Sequence, residues 1–248
     1  MIHILFSIFI TLPLWAETLP DHYDELIDYV QEAPDQGEAA TCLFMGNTGA
    51  MELLANKKEG IKNPRPYGKY DLSESFIMWM KDTGEAKSFF DAPVLRFNHG
   101  HGIHISHWPF EAWNDGGVNR TVWDRHPQMN SLPRIELPKV ETLKLFQFGN
   151  KWSTYVLKDQ HVQMIKEALW KYKSPVLINY NDEGYWHVIL IVGFDDRLPG
   201  VCHDTPQEQC RGLGSFFVRD SFGVRAELRD YDWFKAKGNA AFVVKLKD

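Results

Sequence analysis

The chain has 248 residues, enough for one large domain or a compact two-lobed unit with a sizeable core. Hydrophobic residues make up 44% and charged residues 24%, an ordinary balance for a soluble globular protein. The net charge of −6 supplies no basic patch and argues against a nucleic-acid partner.

Taken in chain order, the first sixteen residues, MIHILFSIFITLPLWA, are almost wholly apolar. A bilayer span needs about 20 such residues, so the stretch reads as a secretory signal with cleavage after Ala16. This predicts a secreted or periplasmic location, no stable membrane insertion after cleavage, and a mature unit over 17–248. The three cysteines are Cys42, Cys202 and Cys210. In an oxidising compartment Cys202 and Cys210, in the polar loop CHDTPQEQC, can close a small ring and leave Cys42 unpaired. The count alone leaves open whether Cys42 is catalytic or a buried, inert thiol.

Pro34, Asp35 and Gly37 mark a turn. Residues 42–56, CLFMGNTGAMELLAN, read as a helix with apolar residues all round, hence buried and central, with Gly46 and Gly49 permitting close approach. Residues 72–81 read as a second helix capped by Ser73. The span 82–148 reads as irregular. A third helix is expected from Asp159, as N-cap, with Val162, Ile165 and Leu169 on one face and Pro175 just past its end. Strands are expected at 176–181, 186–194, 215–220 and 241–246. The second, WHVILIVGF, is apolar on both faces and so central. Helices followed by strands predict an α+β protein with a helical lobe at about 31–150 and a sheet lobe at about 151–248 plus the N-terminal segment.

Three separated segments carry chemistry. Cys42 stands at a helix start, where the macrodipole and unpaired N–H groups favour a thiolate and can bind an oxyanion. Gln36, on the turn before it, can supply a second donor. His187 leads an apolar strand, and Asp220 ends another at a turn. Cysteine catalysis requires a base for the thiol proton and a third group to hold that base, and these residues supply one of each. A rival grouping is His99, His101, His104 and His107 in NHGHGIHISH. On a helix the last three would share a face, and imidazoles suit zinc or copper. The segment has two glycines and no carboxylate or Cys, so it reads as a polar loop and no metal is assigned.

In this order the residues resemble the papain family of cysteine peptidases. Gln36-Gly37 and then Cys42 match its Gln-Gly…Cys pattern, Glu52 lies ten residues past the Cys, and Leu72-Ser73-Glu74 follows. Pro175-Val176, then His187 through Val192-Gly193-Phe194, then Asp220-Ser221-Phe222-Gly223 match its later segments. His187 follows Cys42 by 145 residues, within the family's spacing of about 130–150. Asp220 follows by 178, slightly long.

The resemblance implies a papain-like two-lobed fold, a helical lobe and a mostly antiparallel sheet lobe with the cleft between. It implies Cys42 as nucleophile, His187 as base and acid, Asp220 as the orienting residue, Gln36 as oxyanion donor and Phe222 as the ring shielding the His. Gly100 and Gly102 would take the place of the glycines that bind extended peptide backbone. The implied activity is peptide-bond hydrolysis by a monomer, on peptide or protein substrates, without a cofactor. The sequence departs from the family at Ala39-Ala40-Thr41-Cys42-Leu43, where Cys-Gly-Ser-Cys-Trp is usual, and at Asp220, where Asn is usual. A carboxylate there should raise the pKa of His187. A mature chain beginning near Leu19 leaves no room for the family's inhibitory pro-segment. Alternatives are an inactive binding scaffold, or an amidase, deamidase or transpeptidase sharing the same thioester chemistry.

Overall fold

The computed structural model describes residues 18–37, 41–82, 86–88, 95–97, 101–102, 104–107, 131–150, 153–182, 184–199, 213–223 and 225–247. Residues 1–16, expected to be a leader, and His99, Gly100, Cys202 and Cys210 lie outside the described residues.

The chain opens with β1 (His22–Tyr23) and a 3-10 turn at Ile27–Tyr29, then enters α1 (Cys42–Glu59). From Cys42 to Asn56 nearly every residue of α1 is buried, which is what an all-round apolar pattern requires. Gly60 ends it with φ 69°, a left-handed cap. The two helix glycines are needed for packing. A Cβ at Gly46 would come within 3.0 Å of Leu177, and one at Gly49 within 2.2 Å of the Arg219 guanidinium. Helix α2 (Glu74–Asp82) begins where the Phe76 N–H donates to Ser73 Oγ at 3.1 Å, the expected cap.

Two short antiparallel pairs follow in the helical lobe: β2 (Ala86–Ser88) with β3 (Leu95–Phe97), and β4 (His101–Gly102) with β5 (Ile135–Glu136). The remaining elements are β6 (Val140–Gln147), α3 (Asp159–Tyr172), β7 (Val176–Asp182), β8 (Tyr185–Pro199), β9 (Leu213–Arg219), β10 (Glu227–Asp230), α4 (Tyr231–Lys237) and β11 (Gly238–Leu246). Strands run β10-β9-β8-β7-β11-β6 in one sheet, antiparallel at every step, and β1 pairs with β8 through Tyr23 and Phe194. The N-terminal segment therefore belongs to the sheet lobe.

The expected strands are all present, and β8 is interior, as its two apolar faces require. Two corrections concern the rest. The span 82–148, read as irregular, ends in β6, an edge strand paired with β11. Its sequence VETLKLFQ is only half-buried and alternates imperfectly, and the pairing carries an irregularity at Ala241/Phe242. The cap of α3 is Lys158, one residue before the expected Asp159. Its backbone is extended and its N–H donates to His161 Nδ1 at 2.8 Å, so an imidazole returns to the cap N–H as a carboxamide or carboxylate would.

Helix α1 lies against the sheet through Leu53, Leu54, Leu177, Val188 and Leu190, and this is the principal core. A second cluster, Met51, Ala55, Tyr70, Leu72 and Leu137, sits under the other face of α1. The architecture is α+β with two lobes meeting along α1. Among the described residues no helix is long and apolar enough to cross a membrane.

Candidate active site

Cys42 is the first residue of α1, so its N–H points out of the helix start, while the Phe44 N–H already donates to the Thr41 carbonyl at 2.8 Å. Residues 35–37 form the turn before it. Gly37 takes φ 55°, a left-handed position that favours glycine, and its N–H donates to Asp35 Oδ1 at 2.9 Å. The turn is stitched to the loop after β9: Asp35 bridges Phe222, and the Gln36 N–H donates to the Ser221 carbonyl at 2.8 Å. Gln36 thus sits beside the loop that carries Asp220, although the two are distant in sequence.

His187 lies on β8, opposite Tyr180 of β7, and is fully buried. Its Nε2 donates to Asp220 Oδ1 at 2.7 Å. Antiparallel pairing of β8 with β9, Leu190 opposite Arg219, brings these residues together. The Ser221 N–H also donates to Asp220 Oδ1, at 2.7 Å, and Arg229 Nη2 of β10 donates to Oδ2 at 2.7 Å. The imidazole stacks with two rings. Phe222 stacks on it at 5.5 Å between centroids with 12° between planes, and Tyr185 at 5.6 Å and 23°. Tyr180 meets it obliquely at 5.3 Å. Phe222 is 44% exposed, so it screens the ring from the solvent side.

The second imidazole nitrogen, Nδ1, is buried and has no partner in hydrogen-bond geometry among the described residues. The Cys42 sulfur lies close enough to the ring to raise its affinity for a proton. Burial lowers the affinity of His187 for a proton. The hydrogen-bonding pull of Asp220 and then of Cys42, followed by the charges of the same two groups, overcomes that and raises its pKa to about 9. Burial pushes the Asp220 carboxyl up, but His187 and Arg229 outweigh it and hold the group below its ordinary range. Tyr185 is raised by burial and then by Cys42, which sets its ring near the sulfur.

Beneath the site, Arg219 is fully buried. It donates to the Gln31 carbonyl at 2.8 Å, the Met45 carbonyl at 2.9 Å and Glu52 Oε2 at 3.1 Å. One guanidinium therefore ties β9 to α1, one residue before Asp220. Glu52 also accepts from the Leu72 N–H at 2.9 Å. Glu74, next to this pair, has both carboxyl oxygens buried without a hydrogen-bond partner among the described residues. Burial raises it to about 7 against the opposing pull of Arg219.

Of the residues singled out in the sequence, Cys42, His187, Asp220, Gln36 and Phe222 come together. Cys42 is nearly covered, 2% exposed, and Gln36 is 1% exposed. Gly102 is buried, and a Cβ there would meet Leu72 at 3.2 Å and Leu137 at 3.3 Å. The histidine segment is not one helix: β4 ends at Gly102 and Ile105–His107 is a 3-10 turn. His104 is engaged at both nitrogens, by the Gly68 carbonyl at 2.8 Å and Ser106 Oγ at 2.7 Å. Arg229, Tyr185 and Tyr180 were not singled out. The one sequence signal for Arg229 is its spacing from Glu227, which puts both on one strand face.

Three solved structures share the fold. The cysteine protease and lectin-like domains of Cwp84, a surface-layer-associated protein of Clostridium difficile, align over 92% of this chain at 16% identity and TM-score 0.57. Digestive procathepsin L 3 of Tenebrio molitor aligns over 94% of this chain and 72% of its own, at 17% identity and TM-score 0.55. Bromelain of Ananas comosus aligns over 92% of this chain and 100% of its own, at 12% identity and TM-score 0.52. The chain spans about half the Cwp84 chain, 52% in that structure and 58% in another of the same protein. No family model and no curated protein matches the chain. These likenesses give the chain the two-lobed fold of papain-like cysteine proteases.

Proposed function

We propose that the protein is an extracytoplasmic cysteine peptidase that hydrolyses peptide bonds through a thioester, as one catalytic domain over 17–248. The observation that carries this reading is the 2.7 Å contact of His187 with Asp220 while the same imidazole faces the sulfur of an unpaired Cys42. Any papain-like scaffold buries a core, but binding alone does not require a thiol, an imidazole and a carboxylate in series.

The chemistry runs through these groups. The Cys42 thiol passes its proton to His187 Nδ1, and the sulfur attacks the carbonyl carbon of the scissile amide. The resulting oxyanion accepts hydrogen bonds from the Cys42 N–H and the Gln36 side-chain amide, each donor worth about 3 kcal/mol. His187 then protonates the leaving amine, and the C–N bond breaks to give the Cys42 thioester. A water loses its proton to His187, attacks the thioester and releases the acid, and the sulfur regains the proton. Asp220 holds the ring in the tautomer with Nδ1 toward the sulfur and balances the imidazolium. Peptides or proteins are the substrates, and no step calls for a cofactor.

The experiment is a peptide-library cleavage profile with purified protein beside its Cys42→Ser variant. Turnover by the native protein alone supports the reading, and equal turnover by both refutes it. One observation favours a second reading, an inactive binding scaffold: Cys42 is only 2% exposed. That reading expects no cleavage in the library and no rapid reaction of Cys42 with a thiol-directed epoxide.

A further inference from the structure

Asp220 stands where an uncharged amide is usual in the resembled pattern, and the structure surrounds that extra charge with a specific partner. Arg229 Nη2 lies 2.7 Å from Asp220 Oδ2, with the two side chains 11% and 1% exposed. The Arg229 Nε lies 2.8 Å from Glu227 Oε1 on the same strand face. The guanidinium rests over Trp233, 4.7 Å from its centroid, and near Tyr180 at 5.9 Å. It is thus fixed on three sides before it meets Asp220.

We infer that Arg229 is a positioning residue of the site. It occupies Oδ2, leaves Oδ1 as the acceptor for His187, and takes up part of the carboxylate's charge, so that Asp220 acts on the imidazole more nearly as an amide would. Around the pair, charge alternates along Cys42, His187, Asp220, Arg229 and Glu227. The groups facing His187 and Asp220 are Cys42 from α1, Tyr180 from β7, Tyr185 from β8, and Glu227 and Arg229 from β10. Without Arg229, the full charge of Asp220 would fall on the imidazole and the proton would be held too tightly to hand to a leaving amine. The inference rests on the reading of Cys42 and His187 as the reactive pair for its catalytic meaning, but not for its electrostatic content.

The test is the titration of the His187 ring followed by NMR in the full chain. Arg229→Gln is expected to raise the proton affinity of His187 at least threefold. Asp220→Asn is expected to lower it, and adding Arg229→Gln to Asp220→Asn should change it less than twofold, because the effect travels through the carboxylate. An Arg229→Gln titration equal to the native one would overturn the inference, as would the same shift in the Asp220→Asn background. Should Arg229→Gln not fold, Glu227→Gln near the rim reads the same relay. Releasing Arg229 wholly to Asp220 should lower the affinity about twofold, and no shift would overturn the proposal. The ring reports whether or not the protein turns over peptides. A chain with the shift but without cleavage removes the peptidase reading, and a chain with cleavage but without the shift removes the role of Arg229.

Discussion

Phe222 and His187 lie face to face, 5.5 Å between centroids and 12° between planes, with Phe222 on the solvent side of the ring. A stacked pair of this kind is worth about 1 kcal/mol. Its larger effect is to keep water from competing for the His187–Asp220 hydrogen bond. Phe222→Ala is expected to lower peptide turnover about tenfold while shifting the melting temperature little, since the ring is half exposed. Phe222→Trp should retain activity. Steady-state rates and a thermal melt on the same samples check both.

His187 has its folded-state pKa raised to about 9 from an ordinary 6.5. A raised basic group contributes stability that is complete below pH 6.5 and is lost as pH climbs through 9, roughly 3 kcal/mol in all. Native protein should therefore lose stability across that window, and His187→Asn should lose markedly less. Urea unfolding at pH 6 and pH 9.5 measures the difference.

Arg219 holds the two lobes together at one point, with three acceptors on α1 and the N-terminal segment. Arg219→Met should leave the buried Glu52 carboxylate without its cationic partner and remove the tie to the Gln31 and Met45 carbonyls, at a cost of about 3–5 kcal/mol. The same change should disorder the approach of Cys42 to His187, so activity is expected to fall with stability. Chemical denaturation and alkylation of Cys42 report the two effects separately.

Glu74 has the opposite ionic character but the same direction of linkage. Its carboxyl is raised to about 7 by burial, so its protonated form suits the fold and stability is lost as pH rises from 4.5 through 7. Glu74→Gln is expected to raise the melting temperature at pH 8 by several degrees, at about 3 °C per kcal/mol. The gain should shrink to nothing near pH 4.5. A gain of equal size at both pH values would contradict the assignment.

The parts legible in the sequence are those whose signal is local and strong. Helix α1 announces itself by apolar residues on every side and two glycines, and β8 by nine apolar-rich residues. The positions of Cys42, His187 and Asp220 follow from motifs that each end or begin one element. What escaped depends on register. Strand β6 is half-buried and irregularly alternating, so its period is weak. Strand β10 and helix α4 are too short to show a period at all. Arg229 becomes meaningful only when β10 pairs with β9 in one register, with Glu227 opposite Val218. The orientation of Tyr185 over His187 likewise depends on how the β7–β8 hairpin closes.

The most direct measurement is the rate of Cys42 alkylation by iodoacetamide against pH, located by peptide mapping, in native protein and His187→Ala. An imidazole that draws the thiol proton should give fast modification of Cys42 well below the pH at which a free thiol reacts, with at least a tenfold loss in His187→Ala. Modification that is equally slow in both proteins, rising only near pH 8.5 as for an ordinary thiol, would contradict the account.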